Sequence, residues 1–237
     1  MSRHVSRNKL SRKELVQKDE ITVRLERGAE YVWDNPRPFL WGGALVLVVA
    51  LAVAGWTVYS SRREAAGQLA LASVIQACND TLTYASDDAR YQATLSVANG
   101  VVAEYGGSSA AQVARYYAAL SHEGLGDIGE SVRLLEELAA SSDPAIRPVA
   151  QFALGQSFKK QGDFNRAIEL YDTLLASDEY APETLVFELG QLHEAADRVA
   201  EARTFYESLI ANYPGSVYQP EAERALKRID TLGPGSA

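Results

Sequence analysis

The residues from which a catalytic or metal centre could be assembled are few and far apart. They are His4, His122, His193 and Cys78, with 31 Asp and Glu spread along 237 residues. A zinc protease site needs two histidines one helical turn apart with a glutamate beside the first. A thiol pair needs two nearby cysteines, a nucleophile elbow needs glycines flanking a serine, and a phosphate loop needs glycines ahead of a lysine. None of these spacings occurs. Gly106-Gly107 reads as a helix stop. Cys78 alone cannot close an intramolecular disulfide, and beside Val74, Ile75 and Ala77 it reads as a small buried apolar side chain. The carboxylates fall singly on stretches that read as helix faces, where charge is usually solvated. The sequence therefore predicts no enzyme, no metal and no cofactor.

The charge is unevenly placed. Residues 1–38 hold nine Lys/Arg against six Asp/Glu, and residues 60–237 hold 14 against 25, so the ends carry net charges of +3 and −11. A balance of −8 overall excludes nucleic acid as the main partner. The 21 residues between, Phe39 to Tyr59, carry no charge. As a helix they would reach about 31 Å, the thickness of a bilayer's hydrocarbon core. Trp41 and Phe39 stand at one end and Trp56 and Tyr59 at the other, where rings favour the headgroup boundary. Ala52-Val53-Ala54-Gly55 would serve a signal peptidase. The 38 residues ahead of the apolar run and its continuation past that site favour an uncleaved anchor. The basic flank predicts an N-terminus in the cytoplasm and the large domain outside it.

Within the N-terminal segment, Ser11-Arg12-Lys13-Glu14 fits a capping box and predicts a helix from about Arg12 to Trp33 with apolar Leu15, Thr22, Leu25, Ala29 and Val32 on one side. The run Asp34-Asn35-Pro36-Arg37-Pro38 would break it. Such a helix suits either the inner leaflet or free solvent.

The remainder repeats itself. Gly126-Asp127 returns as Gly162-Asp163 after 36 residues; Leu154-Gly155 returns as Leu189-Gly190, and Ala167 and Tyr171 as Ala202 and Tyr206, after 35. Each block reads as helix, short turn, helix, followed by Pro144, Pro182 or Pro214. These residues resemble a tetratricopeptide repeat array, with the Leu-Gly pair in the first helix and the small residue and aromatic in the second. Block two supplies Leu154, Gly155, Phe158, Gly162, Ala167, Tyr171 and Leu174. Block three supplies Leu189, Gly190, Ala202, Tyr206, Leu209 and Pro214. Block one is poorer, with Ala118, Ala119, Gly126, Leu135 and Leu138. The expected fold is all-α: a cytoplasmic segment over 1–38, one transmembrane helix over 39–59, then a tetratricopeptide-like solenoid of helical hairpins over 60–237. Within it come a degenerate repeat at 63–107, repeats at about 112–147, 148–182 and 183–217, and a capping helix at 220–231 with Glu221, Glu223, Arg224, Lys227 and Arg228 outward.

The resemblance implies a binding groove lined by first helices. Three positions map onto it: Tyr116, Phe152 and Phe187; then Leu120, Gln156 and Gln191; then Glu123, Lys159 and Glu194. Rings beside amides suit an extended or helical peptide, although the same rings would also fit between helices. Apart from Lys159 and Lys160, these positions lack the basic side chains of relatives that clamp a terminal carboxylate. His122 and His193 fall where the family places an aromatic and are expected to pack as one. Anchor plus array is similar in layout to bacterial envelope repeat proteins of the ancillary SecYEG translocon subunit and cell division coordinator types. That resemblance implies a scaffold in the inner membrane with a periplasmic repeat domain. It implies protein or peptide partners, among them translocon subunits or periplasmic chaperones, or alternatively a role in cell-wall synthesis or division.

Overall fold

The structure is a computed structural model that describes residues 36–232. The capping box at Ser11 and the helix expected from Arg12 to Trp33 lie outside the described residues. Those described are all-α, in nine helices. The chain divides into two compact units, Met1–Ser61 and Arg62–Ala237, and the division falls within the first helix, α1 (Pro36–Asn79).

In the first unit the helix is apolar all round. Every residue from 40 to 61 is exposed, including Trp41, Leu45, Leu51 and Trp56. A helix with no polar face has no side to give to water. By length and composition it is the one described helix able to cross a membrane, with mean hydropathy 2.0. Its hydroxyls are satisfied within the helix: Thr57 Oγ1 donates to the Ala54 carbonyl at 2.9 Å, and Ser60 Oγ to that of Thr57 at 3.1 Å. Such back-bonding lets a hydroxyl sit where no water is available.

The second unit runs on through α2 (Asp87–Tyr105), α3 (Ser109–Gly124), α4 (Ile128–Ala139), α5 (Arg147–Lys160), α6 (Phe164–Ser177), α7 (Pro182–Ala195), α8 (Val199–Asn212) and α9 (Gln219–Leu232). From α2 onward each helix packs on the next. Local chemistry sets the boundaries. Ser86, Ser108, Asp127 and Asp163 accept an N–H of the following first turn and so start α2, α3, α4 and α6. Pro182 opens α7 at its first position, where its missing N–H costs nothing. The three turns inside the hairpins pass through left-handed backbone, at Gly126 (φ 82°), Gly162 (φ 77°) and Asp197 (φ 58°). The third turn is the weakest, since Asp197 carries a side chain there and Arg198 supplies no cap.

The Leu-Gly pairs have a steric reason. A Cβ on Gly190 would stand 2.6 Å from the Tyr206 ring, and one on Gly155 would come closer still to Tyr171. Sixteen residues separate the partners in each repeat, glycine on the first helix and tyrosine on the second. The same two positions in the first repeat hold Ala119 and Leu135, both fully buried. A larger first partner goes with a smaller second one, so block one departs from the family pattern while filling the same space. The core then runs through neighbouring hairpins: Ala119 and Leu135 join Leu154, Tyr171, Leu174, Leu185 and Leu189 in one cluster. No hairpin buries its apolar face alone.

The ends of the array differ. At the start, Leu71 and Val74 of α1 pack with Ala98, Val101, Ala110 and Ala114. Glu64 accepts from the Ser109 N–H at 3.2 Å and from the Ser109 hydroxyl, placing a carboxylate at the N-terminus of α3. That hydroxyl hydrogen bond is the main reason its carboxyl titrates below the usual range. At the finish, α9 buries Ala222, Ala225 and Ile229 and exposes Glu221, Glu223, Arg224, Lys227 and Arg228. Cys78 corrects an expectation: it is half-buried, not buried. It lies one residue before the end of α1, and α2 starts only at Asp87, from where Arg90 Nη1 donates to the Cys78 carbonyl at 2.7 Å.

Candidate protein-binding face

The candidate residues all sit on the first helices of their hairpins, α3, α5 and α7, which side-chain hydrogen bonds join to one another and to α9. The aromatic position is largely consumed by packing. Phe187 is 7 % exposed and stacks on Tyr218, with ring centroids 4.8 Å apart. Phe152 stacks on Tyr180 at 4.6 Å and on Tyr171 at 5.4 Å, and Tyr116 packs beside Leu138 and Ile146. Phe152 and Tyr116 stay half-buried. Tyr180 and Tyr218 come from the loops that lead into α7 and α9. They had no signal in the sequence because they stand 38 residues apart and break the period of 35.

The polar positions form a chain across the repeats. Glu123 of α3 accepts from Ser157 Oγ of α5 at 2.6 Å and from Lys160 Nζ. Lys159 of α5 donates to Glu188 Oε2 at 2.8 Å and Gln191 Oε1 at 2.6 Å, both on α7. Glu194 of α7 accepts both Nε and Nη2 of Arg228 on α9 at 2.9 Å, and the Tyr206 hydroxyl at 2.9 Å. The third mapped position alternates in sign, Glu123, Lys159, Glu194, and each charge finds its opposite one repeat away. Both lysines of the small basic exception are thus already paired, and neither is left to clamp a carboxylate.

Burial, and then the charge of Glu188, raises the Tyr171 phenol well above its ordinary range, while a hydrogen bond with Gln156 acts the other way. Tyr206 is raised too, by burial and then by its hydrogen bond to Glu194. Both rings are therefore neutral donors at any working pH. Leu120, Gln156 and Gln191 remain half-buried. Three of the candidates, Phe187, Gln191 and Glu194, line a cleft of about 320 Å³ closed by Tyr206, Ala225, Glu221 and Arg228.

The histidines go different ways. His193 is buried and stacks on Phe205 at 5.1 Å, with no partner for Nδ1 among the described residues. Burial first, and then Arg198, lowers its pKa. His122 is only half-buried and meets Asp127 Oδ2 at 3.1 Å. At the same position Phe158 carries the Arg166 guanidinium 3.9 Å above its ring. The described residues hold no cluster of three metal-binding side chains.

Hairpins of this length, with glycine opposed to tyrosine and left-handed turns at a fixed period, have a named counterpart. Residues 152–217 match the tetratricopeptide repeat. The match covers α6, α7 and α8 and most of α5. Two crystal structures of the nearly identical tetratricopeptide-like repeats of a putative kinesin light chain from Podosopora anserina align with 73 % of this chain and 95 % of their own. Their TM-scores are 0.50 at 17 % and 18 % identity, which shows the fold alone. The C-terminal part of a repeat-containing protein from Cytophaga hutchinsonii aligns over 74 % of this chain and 73 % of its own, at 15 % identity and TM-score 0.47. No curated protein matches the sequence significantly. A tetratricopeptide repeat unit is in general a non-catalytic scaffold for protein partners, and the first helices are its candidate surface here.

Proposed function

We propose that this protein is a membrane-anchored scaffold that holds its tetratricopeptide repeat unit outside the cytoplasm to bind protein or peptide partners. The observation that carries the reading is the joining of two features in one chain. One is a helix apolar on every side from residue 40 to 59, and the other is a repeat unit with its own core. The basic flank ahead of the apolar helix supports an N-terminus in the cytoplasm. The layout's similarity to envelope repeat proteins of the translocon-associated type makes translocon subunits and periplasmic chaperones the first partners to test, in a bacterial inner membrane. Leu120, Gln156, Lys159, Gln191 and Glu194, with the exposed parts of Tyr116 and Phe152, form the proposed surface, and Phe187 supports it from below.

The test is topological and chemical together. Tags are placed at both ends, and cells with a permeabilised outer boundary receive protease. Loss of the C-terminal tag with retention of the N-terminal tag in the membrane fraction is expected. Protection of the C-terminal tag, or a soluble fragment beginning near Gly55, contradicts the reading. Crosslinks to cell-wall synthesis proteins in place of translocon components would reassign the partner and keep the scaffold.

A further inference from the structure

The first helix of a hairpin inside the array has two working faces. One turns to its own second helix: in α5 it holds Phe152, Gly155 and Phe158, with Gly155 against Tyr171. The other meets the preceding hairpin: Ala150 clusters with Leu138, Leu154 clusters with Leu135, and Ser157 donates to Glu123 at 2.6 Å. The part of α1 that belongs to the repeat unit shows the first face at the same spacing. Leu71, Val74 and Ala77 are buried there, and Val74 joins Ala98 of α2 in one cluster. Counted from Val74 as from Gly155, Leu69, Ser73 and Gln76 stand where α5 has Ala150, Leu154 and Ser157. In α3, α5 and α7 these three positions are buried throughout. On α1 all three are exposed, Leu69 to 79 %. Among the described residues no hairpin comes before α1 to fill that face, and its residues are not the charged ones that α9 turns outward to close the other end.

We propose that this bare face of α1 is the seam of a parallel homodimer, in which each copy covers the other's Ala65, Leu69, Ala72 and Gln76. Charge selects a second copy as the occupant. Residues 60–237 carry a net charge of −11, so two copies repel over most of their surfaces, yet residues 65–79 hold no Asp, Glu, Lys or Arg. A basic partner would be met by carboxylates, whereas a neutral face is the one place where two such acidic units meet without like charges opposed. Spacing selects the form of the seam. Ala65, Leu69, Ala72 and Gln76 are all exposed and follow one another by four, three and four residues, the step of a two-stranded coiled coil. Gln76 meets Gln76 of the second copy there, and a polar pair at such a position fixes register. Leu71 and Val74 lie on the opposite side of the helix and keep their places in the repeat core. The parallel direction rests on the anchored reading: two chains held by one bilayer run the same way and are confined beside each other, which raises their effective concentration.

The test uses the full chain in isolated membranes, with its own thiol removed by Cys78→Ser. Single cysteines are placed by Leu69→Cys, by Gln76→Cys and, as a control at an exposed position of α6, by Thr173→Cys. An alkaline wash first shows whether the chain stays in the bilayer, and copper phenanthroline then oxidises the thiols. Species of twice the 25.8 kDa chain mass are expected from Leu69→Cys and from Gln76→Cys, about tenfold above Thr173→Cys. In a parallel pair each residue meets its own counterpart, whereas an antiparallel pair would link only Leu69→Cys mixed with Gln76→Cys. Leu69→Glu sets two carboxylates against each other at the seam. It should abolish the Gln76→Cys link while the helical circular dichroism stays parental, because Leu69 takes no part in the core of the single chain. Chain released by the wash contradicts the anchored reading, and the parallel seam with it. In chain that stays, the proposal alone is overturned by no link, by a link no stronger than the control, by the mixed link alone or by an adduct of any other mass. A Gln76→Cys link that survives Leu69→Glu overturns it as well.

Discussion

Replacing Gly155 by alanine puts a methyl group where the Tyr171 ring already stands. Tyr171 has little room to yield. It is fully buried, its hydroxyl donates to the Phe152 carbonyl at 2.9 Å, and its ring stacks on Phe152 at 5.4 Å. Overpacking of this kind costs about 1–3 kcal/mol, and the better helix propensity of alanine returns about 1. With the ring held on three sides the cost falls in the upper part of its range, leaving a net loss of about 1–2 kcal/mol. In a unit of this size that lowers the melting temperature by roughly 2–8 °C. The first repeat shows the remedy, since Ala119 and Leu135 occupy the equivalent places. Tyr171→Leu alone should cost about 2 kcal/mol, through lost volume and a lost hydrogen bond. Combined with Gly155→Ala it should cost less than the sum by at least about 1 kcal/mol. Urea titrations of the four variants measure the cycle. A Gly155→Ala protein as stable as the parent, or strict additivity in the double variant, refutes the steric argument. The more drastic Gly155→Trp and Gly190→Trp should each cost several kcal/mol.

Three other outcomes follow from the same geometry. Asp197→Gly with Arg198→Asp gives the third turn the residues of the first two and should add about 1 kcal/mol in a urea titration, the relief of left-handed strain and the new cap outweighing the lost Arg198–Asn165 contact. His193 titrates below its ordinary 6.5 in the folded chain, so the unfolded chain binds the extra proton first; stability should fall as pH drops below about 6.5, and His193→Phe should remove that slope from melts across pH 5–8. Asp172, Arg198 and Glu201 face the ring and stay unchanged in that variant. Phe187→Ala should cost about 3–5 kcal/mol of folding stability, as for a buried ring, whereas Gln156→Ala should leave a thermal melt nearly unmoved.

Helix period, turn positions and the apolar run were legible in the sequence because each depends on residues close along the chain. Gly126, Gly162 and the Leu-Gly pairs mark local backbone and local packing, and they recur at one interval. What crosses between hairpins was harder to read. The alternation of Glu123, Lys159 and Glu194 was visible, but their partners are not fixed by the period. Lys159 reaches Glu188 and Gln191, 29 and 32 residues on, while Glu194 reaches Arg228, 34 on. Loop tyrosines Tyr180 and Tyr218 were missed for the same reason. They take the faces of Phe152 and Phe187, which turns an apparent surface stripe into one that is mostly packed.

Site-specific photo-crosslinking in intact cells decides whether the first-helix face meets a protein partner, as proposed above. Probes go at Leu120 and Gln156 on that face and at the exposed Thr173 of α6 as a control. Discrete adducts from Leu120 and Gln156, with none from Thr173, are predicted. Adducts from Thr173 alone, or from none of the three, contradict it.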